Sequence, residues 1–209
     1  MKNSSLTEQT RRRYNRIASC YDMMEGFPEA AFSHWRHRLL AQARGRVLEV
    51  GVGTGKNFSH YPKGLHITGI DIANRMIVQA RLRADRIGYP VQLMEADAQN
   101  LPFPDNSFET AVATFVFCSV PDPVQGLREL GRVVSPEGAI LLLEHVRINR
   151  TVIGSLMDGL NPVVLRLMGA NINRRTCENV EKAGLTISRM ENLGFMGIVK
   201  MMVAHPGGT

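Results

Sequence analysis

The sequence predicts an α/β fold, an open and mostly parallel sheet wound on both faces by helices, and three observations carry that prediction. The apolar run Val47-Leu48-Glu49-Val50 passes directly into glycines at alternate positions, Gly51, Gly53 and Gly55. Such a run bounded by glycine suits a central parallel strand, whose two faces are both covered. Further short apolar runs follow, two of them carrying an acid at or near the end, over residues 65–71 and 94–98. Stretches of helical periodicity separate these runs, and alternating strands and helices are the mark of a parallel sheet.

The elements follow in order. Residues 1–8 are expected to fray. From Gln9 the chain is helical, with Tyr14, Ile17, Ala18 and Tyr21 on one face at helical spacing and Arg12, Arg13 and Arg16 on the other. Those arginines suit either a solvated back or the head groups of an anionic membrane. A second helix over 27–43 turns Phe32, Trp35, Leu39 and Leu40 inward. After the glycine corner, a second strand ends in Asp71, and Asn74 to Gly88 form the helix behind it. Residues 94–98 make a third strand carrying Asp97, followed by Leu101-Pro102-Phe103, and residues 108–117 a fourth. Asp122-Pro123 caps and starts a helix that runs through 127–134. Ser135-Pro136-Glu137-Gly138 leads into the fifth strand, whose continuous apolar stretch 139–143 predicts burial on both faces. Val152, Ile153, Leu156, Met157 and Leu160 form one helical stripe. Asn161-Pro162 then predicts a cap and first turn for another helix carrying Val163, Val164, Leu167 and Met168. Residues 185–193 and 198–204 form a final strand pair joined through 194–197.

A strand, a glycine-rich turn and a helix make the ligand-binding corner of an open α/β sheet. Glycine permits positive φ there and lets a ligand lie against bare backbone. A phosphate P-loop is excluded, because Val50 occupies its first glycine position and Asn57 its Ser/Thr position. A dinucleotide fingerprint is excluded because Lys56 stands at its third glycine. What remains, Glu49-x-Gly51-x-Gly53-x-Gly55, resembles motif I of the class I S-adenosylmethionine (SAM) methyltransferases. The later strands, their acids, Leu101-Pro102-Phe103 and Ser135-Pro136-Glu137-Gly138 resemble that family's successive motifs in its order, over roughly residues 10–204.

The resemblance implies a Rossmann-like, doubly wound sheet of seven strands in the order 3-2-1-4-5-7-6, the last antiparallel. It implies a single domain over 1–209, with lid helices in 1–44, a SAM-binding core in 45–146, a helical insertion on the substrate side in 147–183, and the final strand pair and tail in 184–209. SAM is the implied cofactor and S-adenosylhomocysteine the product. Asp71 is expected to hold the ribose hydroxyls, Asp97 the adenine amine, and the backbone from Gly51 through Val52 and Gly53 to Gly55 to border the methionine moiety. Ile72 and Met76 would pack on the adenine or belong to the core, and Glu49, Asn57, Ala98, Thr114 and Phe115 complete the implied cofactor set. Glu49, Asp71 and Asp97 would give the pocket a negative character suited to a cationic cofactor.

Tyr14-Asn15-Arg16-Ile17-Ala18-Ser19-Cys20-Tyr21-Asp22-Met23-Met24, with Trp35-Arg36 beyond it, resembles the N-terminal signature of the ubiquinone/menaquinone C-methyltransferases. In related enzymes this segment closes over the cofactor, which makes Tyr14 and Tyr21 candidates to touch it and Tyr21 a candidate catalytic group; Tyr21 could equally be a core aromatic. Glu144-His145-Val146-Arg147 and the stretch from Gly169 to Thr176 resemble a branch that includes lipid N-methyltransferases and alkyl thiol methyltransferases. His145 is the candidate to orient or deprotonate an acceptor, or else a structural histidine. Arg174 and Arg175 are candidates to bind a phosphate bidentately, or form an exposed basic turn, and Phe117 is a candidate acceptor wall. The two apolar stripes of 152–168 serve either packing or a lipid tail or membrane surface. His34, His37 and His66 have no partners the sequence argues for.

Composition bounds the partners. The 209 residues suit one domain with a full-sized core, and a net charge of +6 favours acidic partners, compatible with nucleic acid or an anionic membrane, although a solvated surface is the commoner source of such charge. Cys20, Cys118 and Cys177 match neither a disulfide framework nor a zinc spacing, so a reducing cytoplasm and no metal are expected. Residues 1–10 show no signal peptide, and no stretch approaches the ~20 apolar residues of a membrane span. The expected protein is a methyltransferase peripheral to the membrane, acting on the amine head group of a phospholipid such as phosphatidylethanolamine. A quinol C-methyltransferase and a thiol or small-molecule methyltransferase are the alternatives, and a non-catalytic SAM-binding module is the reading from another class. Nucleic acid is disfavoured, since no RNA module or Asn-Pro-Pro-Tyr acceptor motif is present.

Overall fold

The computed structural model describes residues 2–24, 29–148, 151–168 and 171–207. Its strands are β1 (Arg46–Val50), β2 (His66–Asp71), β3 (Val91–Glu95), β4 (Phe108–Thr114), β5 (Val134–His145), β6 (Leu185–Leu193) and β7 (Val199–Pro206). Its helices are α1 (Lys2–Ile17), α2 (Tyr21–Met24), α3 (Glu29–Leu40), α4 (Asn74–Ile87), α5 (Pro123–Val133), α6 (Thr151–Met168) and α7 (Thr176–Lys182). The strands form one sheet in the order β3-β2-β1-β4-β5-β7-β6, as expected. β1 to β5 run parallel, and β7 is antiparallel to both β5 and β6.

The unbroken apolar runs are explained by two cores. Ile140 and Leu142 of β5 face one core with Leu127 and Leu130 of α5, while Leu141 and Leu143 face the other with Leu39 and Leu40 of α3. Alternate side chains of a strand point to opposite faces, so a strand covered on both sides needs no polar position. Local signals set the helix ends. The Asp122 carboxylate accepts the Gln125 N–H at the start of α5, and Gly88, left-handed at φ 65°, closes α4 with N–H bonds to Ala84 and Asp85 carbonyls.

Several boundaries differ from expectation. α1 begins at Lys2 rather than Gln9 and ends at Ile17, so Tyr21 opens a second short helix instead of continuing the first. β3 stops at Glu95, which leaves Asp97 in a turn bridged to Asn100. β4 stops at Thr114, because Phe115 adopts φ 59° and the next two N–H groups, of Val116 and Phe117, donate to Glu144 Oε1 at 2.9 and 3.1 Å. The expected pair of apolar helices is one 18-residue helix with Pro162 inside it. Asn161 does not cap: its carbonyl oxygen accepts the Ile172 N–H at 2.9 Å and its amide donates to Asn171 at 3.0 Å. The expected stripe splits, with Met157 buried and Leu156, Leu160 and Val163 exposed. The side chains of Val152, Leu167 and Met168, together with residues 25–28, 169 and 170, lie outside the described residues.

Candidate functional site

A cleft of about 710 Å³ opens over the carboxyl ends of β1, β2 and β4, where the first crossover reverses direction. Its floor is the glycine corner. Gly53 has φ 55°, and a Cβ built on it meets nothing nearer than the Gly51 carbonyl at 4.0 Å, so bare backbone faces the cleft. Gly55 serves a different need. At φ 80° its absent Cβ would lie 2.4 Å from the Phe58 ring, and it lines neither this cleft nor the neighbouring recess.

Asp71 ends β2 inside the cleft. Its carboxylate accepts the Gly53 N–H at 3.0 Å and the Ala73 N–H at 2.8 Å, which ties the acid to the glycine turn. Burial raises its pKa to about 6, against the lowering effect of those backbone donors. Each carboxylate oxygen keeps a further acceptor site for a hydroxyl donor. Asp97 also lines the cleft and accepts from the Gln99 backbone N–H at 2.9 Å and from its side-chain amide at 3.0 Å. Ile72, Met76, Ala98, Thr114 and Phe115 complete the wall.

The residues that connect these groups are not among the site residues expected from the sequence motifs. Gln99 donates to Thr7 at 3.1 Å and accepts the Asp122 N–H at 3.0 Å, joining α1, the Asp97 turn and the start of α5. An amide two residues after the acid was the available signal. Arg36 on α3 is 5% exposed and donates to Asn57 at 2.9 Å and Thr114 at 2.8 Å. It stands in the Trp35-Arg36 pair of the N-terminal signature, although its depth was not legible there. Thr7, Thr10 and Ser119 line the cleft as well.

Glu49 does not line the cleft, contrary to expectation. The pleat of β1 sends it to the face of Val47, where it is 1% exposed and accepts from Asn57 at 2.9 Å and Tyr61 at 2.8 Å. Burial lifts its pKa to about 7, opposed by those two donors. A second recess of about 340 Å³ adjoins the cleft at Gly51, Gly53, Tyr21, Thr114 and Phe115. Val52, Asn57, Arg36 and Lys56 line it, so its cations lie beside the glycine turn.

The N-terminal helices form the roof, with Tyr14 and Tyr21 both on the cleft and their ring centroids 6.3 Å apart. Asp22 latches α2 down: it accepts from Thr54 at 2.6 Å and from Arg83, with Lys56 3.8 Å away. Arg75 N–H donates to Asn15 at 2.9 Å and fixes α1 on α4.

Other expected site residues are not brought together. His145 lies behind Phe115, ring centroids 4.6 Å apart, and lines neither cavity. Phe117 is 1% exposed in the core beside Gly126, so it is no acceptor wall. Arg174 and Arg175 diverge: Arg174 donates to the Val120 carbonyl at 2.8 Å, while Arg175 is exposed and pairs with Glu178 at 3.3 Å. They form no fork for a phosphate, because consecutive residues entering α7 point to different sides.

The site fits an adenosyl sulfonium compound. Among the described residues lining the main cleft, the charged groups are Asp71 and Asp97, with no Lys, Arg or His, in a chain whose net charge is +6. Cations appear only in the recess, where Arg36 and Lys56 would meet a carboxylate.

Comparison with known proteins agrees. Residues 48–142 match a family profile described as a methyltransferase domain. A phosphatidylethanolamine N-methyltransferase of Cereibacter sphaeroides is 41% identical over 103 residues, which span 48% of this chain and 51% of that protein, about half its length. A ubiquinone/menaquinone biosynthesis C-methyltransferase, UbiE, of Bdellovibrio bacteriovorus is 28% identical over 208 residues, covering 95% of this chain and 88% of its own. Among solved structures, the cyclase SpnF superposes with a TM-score of 0.77 at 19% identity over 97% of each chain, which speaks to the fold alone. In strand order, cofactor-site layout and matched domain, this chain is similar to the class I SAM-dependent methyltransferases. S-adenosylmethionine is the methyl donor that this fold and site imply, and the relatives' names divide between a lipid amine and a quinone precursor.

Proposed function

We propose that this chain N-methylates the amine head group of a phospholipid of the phosphatidylethanolamine type, at the cytoplasmic surface of a membrane. One observation carries the reading: among the described residues lining the main cleft, the charged side chains are carboxylates only, Asp71 and Asp97. Such a cleft favours a cationic acceptor over an anionic one. A quinol must lose a hydroxyl proton before its carbon attacks, and the described residues lining the cleft offer no Lys, Arg or His to stabilise the resulting oxyanion. An ammonium is drawn in, and the faces of Tyr14, Tyr21 and Phe115 suit the methylated products.

When bound, the cofactor supplies a methyl group already activated on a sulfonium sulfur. The chain's own task is alignment, and positioning of this kind is worth ~7–11 kcal/mol of barrier. In this reading Asp71 holds the ribose hydroxyls, Asp97 with Gln99 holds the adenine edge, and the Gly51–Gly53 backbone carries the methionine part. Arg36 and Lys56 take its carboxylate. An amine with a lysine-like pKa of ~10.4 exposes its neutral form at a cost of ~4–5 kcal/mol at pH 7. The apolar lining residues Val116 and Val120 reduce that cost by desolvating the amine, which disfavours its charged form. Tyr21, whose side chain reaches the cleft, orients the acceptor; His145, behind Phe115, acts through that ring's position.

Quinol C-methylation is the second reading, supported by the UbiE relative that aligns with nearly the whole chain. One assay separates the two, and a thiol acceptor besides. The protein is incubated with methyl-labelled SAM and detergent-dispersed phosphatidylethanolamine, a demethylated quinol or an alkyl thiol. Label is expected in the amine lipid; label confined to the quinol or thiol fraction overturns the proposal.

A further inference from the structure

Building on that reading, we infer that the chain docks on an anionic lipid bilayer through the rim of the cleft, with the outer face of α6 lying in the head-group layer. α6 is apolar on both sides. Met157 turns inward at 8% exposure, while Leu156, Leu160 and Val163 stand outward at 60%, 47% and 57%. Those three recur at i, i+4 and i+7, so they form one stripe on the side where a helix covering a water-facing sheet carries polar groups. Phe195, in the turn between β6 and β7, is 83% exposed.

Topology puts both features at one edge of the molecule. α6 follows the carboxyl end of β5, and His145 at that end pairs with Val199, so the β6–β7 turn sits there too. The cleft opens on this same carboxyl edge. The segment leaving α6 is clipped to the cleft wall: Asn171 N–H donates to the Cys118 carbonyl at 2.9 Å and Arg174 to Val120 at 2.8 Å, beside Ser119 and Val120 of the lining. A membrane under α6 therefore lies against the mouth through which a lipid head group enters.

Charge selects the occupant. Residues 147–178 contain five arginines against the two acids Asp158 and Glu178, a net charge of +3 that remains although Arg147 pairs with Asp158 at 2.8 Å, Arg175 with Glu178 at 3.3 Å, and Arg174 turns to the Val120 carbonyl. An apolar stripe within an arginine-rich segment complements an anionic leaflet, where hydrophobic insertion and head-group attraction act together. No helix among the described residues is long and apolar enough to cross a membrane, which leaves α6 lying along the surface.

The test is cosedimentation of the full chain with vesicles of phosphatidylcholine alone or mixed equally with phosphatidylglycerol, neither of which offers a primary amine. Wild type is expected to pellet with the anionic vesicles and to stay in solution with the neutral ones. Leu156→Ser/Leu160→Ser/Val163→Ser is expected to weaken binding to anionic vesicles by at least about tenfold while calorimetric affinity for S-adenosylhomocysteine stays unchanged. Phe195→Ser, at an exposed turn whose loss leaves the core intact, is the second readout and should weaken binding severalfold. Wild type that fails to pellet, equal pelleting with neutral vesicles, or variants that bind like wild type would each overturn the inference. Methyl transfer to detergent-dispersed amine lipid without vesicle binding sinks the docking surface alone. Vesicle binding with label only in quinol sinks the acceptor assignment alone.

Discussion

Gly53 and Gly55 are equivalent in the motif and opposite in their duties. Both hold positive φ, where a side chain costs about 1–2 kcal/mol in backbone strain. A Cβ at Gly53 meets only open cleft, whereas one at Gly55 enters the buried Phe58 ring. Gly53→Ala is therefore expected to stay folded and lose S-adenosylhomocysteine affinity at least about tenfold by calorimetry, since the methyl occupies ligand space. Gly55→Ala should instead lose about 3 kcal/mol of stability in urea unfolding, from strain and overpacking together. Equal effects from the two substitutions would contradict this division. The residue scale also shows where local pattern misleads. Glu49 and Asp71 both sit on strands entering the corner, yet the pleat buries one behind the loop and delivers the other to the cleft.

At the scale of elements, the roof is held by few contacts. α2 rests on Asp22, whose side chain reaches Thr54, Arg83 and Lys56 across more than thirty positions of sequence. Partly exposed ion pairs of this kind contribute little to global stability, and a small local latch opens at low cost. Asp22→Ala should leave the thermal midpoint within a few degrees of wild type. It should also speed tryptic cleavage at Arg11–Arg13 and weaken cofactor affinity roughly three- to tenfold. Unchanged proteolysis and affinity would show that α2 stays down without its latch. α6 illustrates a different lesson. Asn161-Pro162 has the composition of a helix start, but Asn161 spends its side chain on Asn171 and Ile172, so the turn runs through.

For the whole molecule, the pH dependence of stability follows from three buried carboxyls. Burial raises Asp71 to about 6, Glu49 to about 7 and Glu144 to about 8. Each binds its proton more tightly folded than unfolded, so each favours the fold below its unfolded pKa and loses that contribution as pH rises toward its folded value. Glu109 has the reverse sign. Its bonds to Arg46 lower it to about 2, a contribution present above the unfolded pKa and lost as pH falls. Stability is therefore expected to peak near ~pH 5 and decline toward ~pH 8, with one proton contributing at most about 1.4 kcal/mol per pH unit. Glu144→Gln keeps an acceptor for the Val116 and Phe117 N–H groups and removes the titration. Its urea-unfolding free energy should fall less steeply between ~pH 6 and ~pH 8 than that of wild type. A parallel decline would rule Glu144 out as a source of the slope.

The alternation of strands and helices and the glycine corner were legible in the chain, because backbone path and strand burial depend on spacing over a few residues, while the order of strands in the sheet followed only from the family resemblance. What the order of residues could not reveal was which side chains meet across it. Thr7 with Gln99, Arg36 with Thr114 and Arg174 with Val120 are pairs separated by 92, 78 and 54 positions. Folding alone brings such groups within hydrogen-bond reach, and that closure decided that Tyr21 faces the cleft, that His145 and Phe117 do not, and that the outer face of α6 meets solvent.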